Sequence, residues 1–290
     1  MHNLASRHPY HISVRSYEQL LALKDFAQSP KYKVSLKCVR RIYVYADLVL
    51  GNEKLVQLCK ELDEAFPNSK WILLLPEVIR AKDIPYLKEI ANFLSEKNCL
   101  FNGICSGSLE AIGYFAEHSN IEIYGDHNLY LWNSAALSFW AKKLSGGCLP
   151  LELHGSEQAK LATLPFAWEK IVYGRIPMML SANCVAKTNH ACKKETGKDE
   201  SVSLIDRMNK KLPVLTNCQH CFNVIYNSVP LSLHGELSKY PENLPYRLQF
   251  TTENQAESKE VLGFFLGHEA PQGKPPYGEY TNGREKAGVQ

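Results

Sequence analysis

Eight short apolar runs, separated by amphipathic stretches, constrain this chain more than any other feature of its sequence. They are "HISVRS", "RRIYVYADL", "KWILLLPEV", "CLFNGICSG", "IEIYGDHNLY", "CLPLELHG", "KIVYGRIPMML" and, after a long gap, "YRLQFTTEN". Several are continuously apolar, as strands of a parallel sheet covered on both faces are. Helix signals stand between them. Ser16 to Gln19 reads as a capping box ahead of Leu20 and Leu23, and Asn52 is placed to cap a helix burying Leu55, Leu58, Cys59, Leu62 and Phe66. Leu87, Ile90, Ala91 and Leu94 mark another helix face, and Thr252 to Phe265 reads as the last helix. The alternation predicts an α/β fold, a TIM-barrel-like (β/α)8 domain with its site at the C-terminal ends of the strands. A doubly wound open sheet shares the pattern, because closure has no signature in sequence. No Gly-x-Gly-x-x-Gly or Walker-type loop follows any run, which counts against a nucleotide site.

The alternation breaks between Met179 and Tyr246. This divides the chain into residues 1–180 (barrel strands one to seven with helices), residues 181–245 (a Cys-rich, metal-binding insertion) and residues 246–290 (last strand, helix and tail). The insertion is too long for an ordinary connection and polar in its middle, "KKETGKDES", so it reads as held together by something other than a core. The tail, "GHEAPQGKPPYGEYTNGREKAGVQ", is rich in Gly and Pro and is expected to wrap the surface or to be mobile.

With 290 residues, 45% of them hydrophobic, the chain has material for one large domain or two small ones. No apolar run reaches the roughly 18 residues a membrane span needs. The opening "MHNLASRHPYHISVRS" has no apolar core of a signal peptide, so the expectation is a cytoplasmic protein with no membrane association. A net charge of +3 is too small to imply a polyanionic partner.

Nine cysteines is an odd number, and a chain of this size without a secretory signal has no need of disulfides. Cys59 reads as a small core hydrophobe, and Cys38, Cys99, Cys105 and Cys148 lie in or beside apolar segments. The other four share the insertion. Cys218 and Cys221 have two residues between them, the spacing that lets one turn offer two sulfurs to one metal, and Cys184 and Cys192 precede them with seven residues between. Thiolates select zinc, copper(I) or an iron–sulfur cluster, and four can complete either a tetrahedral zinc site or a four-iron cluster. The spacing favours neither. His190 and His220 sit beside these cysteines and could replace one in a zinc site, or act from behind it.

The words around the cysteines resemble a known family. "YGRIPMMLSANCVAKT", "LIDRMNKKLPVLTNCQHCFNVIYNSVPLSL" and "YRLQFTTEN" are similar to the collagenase-like peptidase family U-thirty-two, most closely to the C-terminal part of its long bacterial members. "GDHNLYLWNSAA" and "LPLELHGSEQ" look like barrel strands that precede the cysteine segment there. The resemblance covers residues 121–265 well and the earlier strands more loosely. It implies a barrel with a [4Fe–4S] cluster on Cys184, Cys192, Cys218 and Cys221, zinc being the alternative. Relatives serve in hydroxylation of RNA bases, in tRNA or ribosomal RNA, or of the ubiquinone ring, while the family name implies proteolysis. Two departures stand out. The family's opening barrel is missing, so the chain resembles a detached C-terminal half that would need an N-terminal-half homologue or second chain as partner. In the closing "TNGREKAGVQ", Arg284 and Glu285 replace the family's His and Phe.

Three functions follow from these residues. The redox reading is an iron–sulfur protein acting in RNA base hydroxylation, with strand-end polar residues Glu77, Asp126, Asn128, Glu152 and Arg175 lining the pocket and Arg175 as an anion clamp. For each of the five, an internal ion pair or cap is the competing role. A peptidase is the alternative, but there is no Gly-x-Ser-x-Gly elbow or His-Glu-x-x-His helix, and metal-bound cysteines cannot attack a peptide. The third is a non-catalytic domain in which the metal only holds the insertion folded. RNA contact draws on Lys187, Lys193, Lys194, Lys198, Arg207, Lys210 and Lys211, diluted by Glu195, Asp199, Glu200 and Asp206. Phe222 and Tyr226, read at helical spacing, are expected to pack inward, and Asp206–Arg207 to be a structural pair.

Overall fold

The computed structural model describes residues 8–188, 201–267, 271 and 273–286. Seven parallel strands follow one another: β1 (Tyr10–Val14), β2 (Val39–Tyr45), β3 (Lys70–Leu74), β4 (Phe101–Ser106), β5 (Glu122–Gly125), β6 (Gly146–Cys148) and β7 (Trp168–Gly174). The chain then leaves for a four-stranded antiparallel sheet made of β8 (Pro177–Ser181), β9 (Ser201–Ile205), β10 (Lys211–Asn217) and β11 (Phe222–Tyr226), in the spatial order β8-β11-β10-β9. A short strand, β12 (Leu231–Ser232), returns antiparallel to β7, and β13 (Tyr246–Gln249) enters between β7 and β1. β6 also pairs with β7, Gly147 against Trp168, so the eight parallel strands close on themselves. This is a (β/α)8 barrel with its insertion before the last strand, and closure excludes the open sheet.

Helices α1 (Tyr17–Gln28), α2 (Ala46–Val49), α3 (Glu53–Ala65), α4 (Ile84–Ser95), α5 (Leu109–His118), α6 (Ser134–Trp140) and α7 (Gly155–Ala162) follow the barrel strands in turn, α8 (Val185–Thr188) belongs to the insertion, and α9 (Gln255–Leu266) follows β13. Their starts obey the side-chain chemistry of orphan amides. Ser16 Oγ accepts from Gln19 N at 3.3 Å and Asn52 Oδ1 from Leu55 N at 3.3 Å. The last helix starts at Gln255 rather than Thr252, because Asn254 and Glu257 form the reciprocal capping box. The main core lies between strands and helices: Ile12, Val14, Leu23, Phe26, Val44, Leu73, Ile104, Phe115, Leu248 and Phe265 are all fully buried there. Cys59, Cys105 and Cys148 are fully buried too.

The strands are less uniformly apolar than their composition implies. His11, Tyr43, Glu169 and Arg247 come from four different strands and meet in the barrel's interior, beside an apolar layer of Tyr43, Tyr45, Ile72, Leu74, Cys105 and Tyr124. Alternate side chains face the interior, polar in one layer and largely apolar in the next, while the others face the helices.

Three expectations for the insertion change. It has a small core of its own, Phe222, Val224 and Tyr226 packed with Leu215 and with Val78 of the barrel. The segment carrying Phe222 and Tyr226 is strand β11, not a helix; residues four apart share a face in either geometry. Both rings are buried, at 2% and 1% exposure. Asp206 acts by itself rather than through Arg207: its Oδ1 accepts from Met208 N and Lys210 N, both at 2.8 Å, closing the β9–β10 turn. The tail is anchored. Thr281 bridges Leu231, and Glu285 enters the protein, where its carboxylate takes Lys170 Nζ at 3.1 Å and Tyr240 OH at 2.5 Å.

Candidate functional site

The C-terminal ends of the barrel strands open into a cavity of about 170 Å³. Arg15 comes from the end of β1, Glu77 from the loop after β3, Asp126, His127, Asn128 and Tyr130 from the loop after β5, Glu152 from the loop after β6, and Gln249 from β13. Pro177, Met178, Met179 and Leu180 of β8 form one wall, so the insertion completes the mouth.

The floor is set by Arg247, fully buried inside the barrel. It pairs through Nη2 with Asp126 Oδ1, donates to Gln249 Oε1 at 2.6 Å, and through Nη1 reaches Glu169 Oε1 at 2.7 Å. The other oxygen of Glu169 accepts from Tyr43 OH at 2.7 Å and from His11 Nδ1. Burial raises the carboxyl pKa of Asp126 and Glu169, but the Arg247 guanidinium, joined by His127 at Asp126 and by His11 and Arg41 at Glu169, outweighs it and holds both below the usual carboxylate range. Burial lowers His11 to about 4, so it is a neutral donor to Glu169. Asp126 is thereby a fixed anion at the cavity floor.

Above it, polar atoms lack partners within the protein. Glu77 Oε2, Asn128 Oδ1, Glu152 Oε2, His127 Nδ1 and Arg15 Nε are buried and unbonded, and all five residues line the cavity. A buried polar group without a partner costs about 1–3 kcal/mol, so their concentration in one cavity marks a site built for a polar ligand. Gly107 makes room: a Cβ there would stand 1.7 Å from Asn128 Oδ1.

Arg15 also donates to Glu77 Oε1 at 2.5 Å and to Tyr226 OH at 2.8 Å, with its guanidinium over the Tyr45 ring at 4.2 Å. This pair borders a second cavity of about 210 Å³, walled by Leu215, Thr216, Asn217, Phe222 and Val224 of the insertion. The second cavity leads toward the cysteines.

Cys218 and Cys221 occupy the turn between β10 and β11, where Asn217 Oδ1 accepts from His220 N at 2.7 Å and Cys221 takes a left-handed φ of 54°. His220 faces Asp83 at 3.1 Å and Asp47 at 3.7 Å; burial lowers its pKa, but these carboxylates raise it to a net upward shift. Asn217 Nδ2 reaches Tyr45 OH at 3.0 Å and Asp47 Oδ2 at 2.8 Å. His220 therefore docks the turn on the barrel instead of replacing a thiol. Ser181 pairs with Asn223, whose Nδ2 donates to the carbonyls of Ser181 and Asn183 at 3.2 and 2.9 Å. Cys184 follows directly, at the same end of the sheet as the Cys218–Cys221 turn. All three thiols are partly exposed. Among the described residues no three His, Cys, Asp or Glu side chains are gathered tightly enough to hold a metal ion. Cys192, His190, Lys193, Lys194, Glu195, Lys198, Asp199 and Glu200 lie outside the described residues.

Four of the five strand-end residues, Glu77, Asp126, Asn128 and Glu152, thus share one cavity. Arg175 does not: its guanidinium donates to Thr252 Oγ1 at 3.1 Å and to the carbonyls of Asn227 and Ser228 at 3.1 and 2.6 Å. Through Nε and Nη1 it ties the end of the insertion to the barrel, outside the mouth cavity. Sequence reasoning passed over Arg15, His127, Tyr130, Arg247 and Gln249. The alternation of Arg247 and Gln249 within an otherwise apolar strand was the available signal.

No family model and no curated protein matches the chain. Among solved structures, that of the U32 peptidase Mk0906 superposes with a TM-score of 0.51 over 85% of this chain and 94% of that one, at 8% identity. The likeness is one of fold. A plant class V chitinase mutant from Cycas revoluta aligns over 82% of this chain and 94% of its own, with a TM-score of 0.39 and 11% identity. Among the described residues no helix is long and apolar enough to cross a membrane.

Proposed function

We propose that the chain is a metal-centre protein that acts on an RNA base held in the barrel mouth, in a base hydroxylation. The observation that carries this reading is the placement of Cys184, Cys218 and Cys221 at one corner of the sheet that also walls the mouth cavity. Cys192 would be the fourth ligand, and a [4Fe–4S] cluster the group held. When bound, such a cluster supplies electrons singly. The reaction class replaces a base C–H by C–OH, with the oxygen atom taken from an oxygen-atom donor that is reduced as the base is oxidised. The chain's own part is to bind and orient: Arg247 keeps Asp126 ionised, and Glu77, Asn128 and Glu152 offer acceptors to N–H groups of the base. Exposed Lys187, Arg207, Lys210 and Lys211 give the insertion a local positive charge for a phosphate backbone.

Peptide hydrolysis, the activity in the name of the structural neighbour, finds less support. Burial pushes the Cys59 thiol up to about 12 and raises Cys105 and Cys148 also, so none of these is an activated nucleophile. The fold likeness at 8% identity carries no residue across.

Anaerobically purified protein should be brown with about four irons per chain, and should lose iron in Cys192→Ser and Cys218→Ser. One zinc per chain and no colour would leave the metal a structural role. Mass spectrometry of tRNA and ribosomal RNA from a deletion strain tests the substrate; unchanged base hydroxylation, with no redundant homologue, would remove the RNA reading.

A further inference from the structure

The mouth cavity has an aromatic lip. Tyr130 lines it with 53% of its surface exposed, and its backbone stands in the left-handed region, φ 57° and ψ 52°. A non-glycine residue held there is strained, and such strain clusters where the surrounding structure fixes a functional side chain. Trp132, 41% exposed, meets the Tyr130 ring edge-on at 6.0 Å and supports it from behind. Met178 and Met179, 62% and 58% exposed, also line the cavity, with Leu180 beside them. Large, partly exposed aromatic and apolar side chains around a cavity lined with buried polar atoms suit a flat ring with polar edges.

The edge chemistry narrows the ring. Glu77 Oε2, Glu152 Oε2 and Asn128 Oδ1 can only accept, and Arg15 Nε, whose side chain is 10% exposed, can only donate. A ring presenting an amino group next to an acceptor nitrogen satisfies both. Cytosine and adenine carry such an amino group; uracil puts a carbonyl oxygen in its place and would set it against carboxylates.

We infer that the mouth binds one unpaired, amino-bearing nucleobase, stacked on Tyr130 and read by Glu77, Glu152 and Arg15. This rests on the RNA reading above and names the base class and the stacking residue. The base enters from single strand, because a paired one has its amino edge occupied.

The test measures binding of ten-nucleotide single-stranded C, A and U RNAs to the full chain by fluorescence anisotropy at fixed salt. Wild type should prefer C or A over U, Tyr130→Phe should retain the affinity, and Tyr130→Ala should lose roughly tenfold to a hundredfold. Tyr130→Asn, which tolerates the left-handed backbone, should lose as much and guards against misfolding. Glu152→Gln should narrow the preference for C over U, since the amide can donate to a carbonyl. Wild type that binds RNA, with unchanged affinity in both Tyr130→Ala and Tyr130→Asn or with U bound as well as C, overturns this inference and leaves the RNA reading standing. Wild type that binds none of the three RNAs, or that binds an unstructured peptide in their place, overturns both.

Discussion

Arg15 and Glu77, 2.5 Å apart, form the partition between the mouth cavity and the cavity behind it that reaches toward the cysteine turn. The two side chains come from the first and third crossings of the barrel and are 10% and 17% exposed. Removing one leaves the other charge buried without a partner.

Arg15→Met or Glu77→Leu alone should therefore destabilise the protein by about 3–5 kcal/mol, whereas the double replacement should recover most of it. Urea denaturation of the three variants checks this. A double variant no more stable than either single one would show that the pair acts through other partners.

Acid should weaken the fold in two stages. His11 has a folded pKa of about 4 against 6.5 unfolded, so between those values the unfolded chain takes up a proton that the folded chain refuses. Its contribution is full above pH 6.5 and is lost as pH falls through 4. Glu169 and Asp126, depressed by Arg247, contribute above their unfolded pKa of roughly 4 and lose it at still lower pH. His11→Gln should flatten the first stage and leave the second. Urea midpoints from pH 8 to 3 (about five steps) decide it.

Among the described residues Glu285 is the only carboxylate paired with buried Lys170, whose pKa is lowered by burial against that pairing. Glu285→Leu should cost about 3 kcal/mol or more, and Lys170→Met in the same chain should restore part of it. Thermal melts read the effect, and fusing a bulky group to Glu285's neighbours should reproduce the loss.

Gly107→Ala should fold but disturb the site. The added methyl would displace Asn128, since it would fall 1.7 Å from Oδ1. The expected outcome is an unchanged melting temperature within a few degrees and a loss of oligonucleotide affinity of roughly tenfold, the worth of one good hydrogen bond. Equal affinity would place Asn128 outside the binding set.

Seven of the eight barrel strands were legible because their runs are apolar on the side that meets a helix, whereas β6 (Gly146–Cys148) meets its run "CLPLELHG" only at Cys148; helices announce themselves through caps such as Asn52 and Asn254. The interior was not. His11, Glu169 and Arg247 are far apart in sequence and become partners only when the sheet closes, which no local pattern records. In the insertion, Phe222 and Tyr226 are compatible with periods of 2 and 3.6 alike, and Val224 between them decides for a strand. Strand-end position was enough to bring Glu77, Asp126, Asn128 and Glu152 into consideration. Arg175 has the same position, but its Nη1 is engaged by the carbonyls of Asn227 and Ser228, 52 and 53 residues on, and it lies outside the mouth cavity.

Tyr10 finds its neighbour Tyr246 only near the end of the chain. A growing polypeptide must therefore carry β1 with one flank unsatisfied through most of translation, although the β10–β11 hairpin, made of adjacent residues, can zip up on its own. The roof of this protein is ready before its walls meet, and a nascent chain stalled short of residue 246 would present an open seam to chaperones or to a second nascent copy.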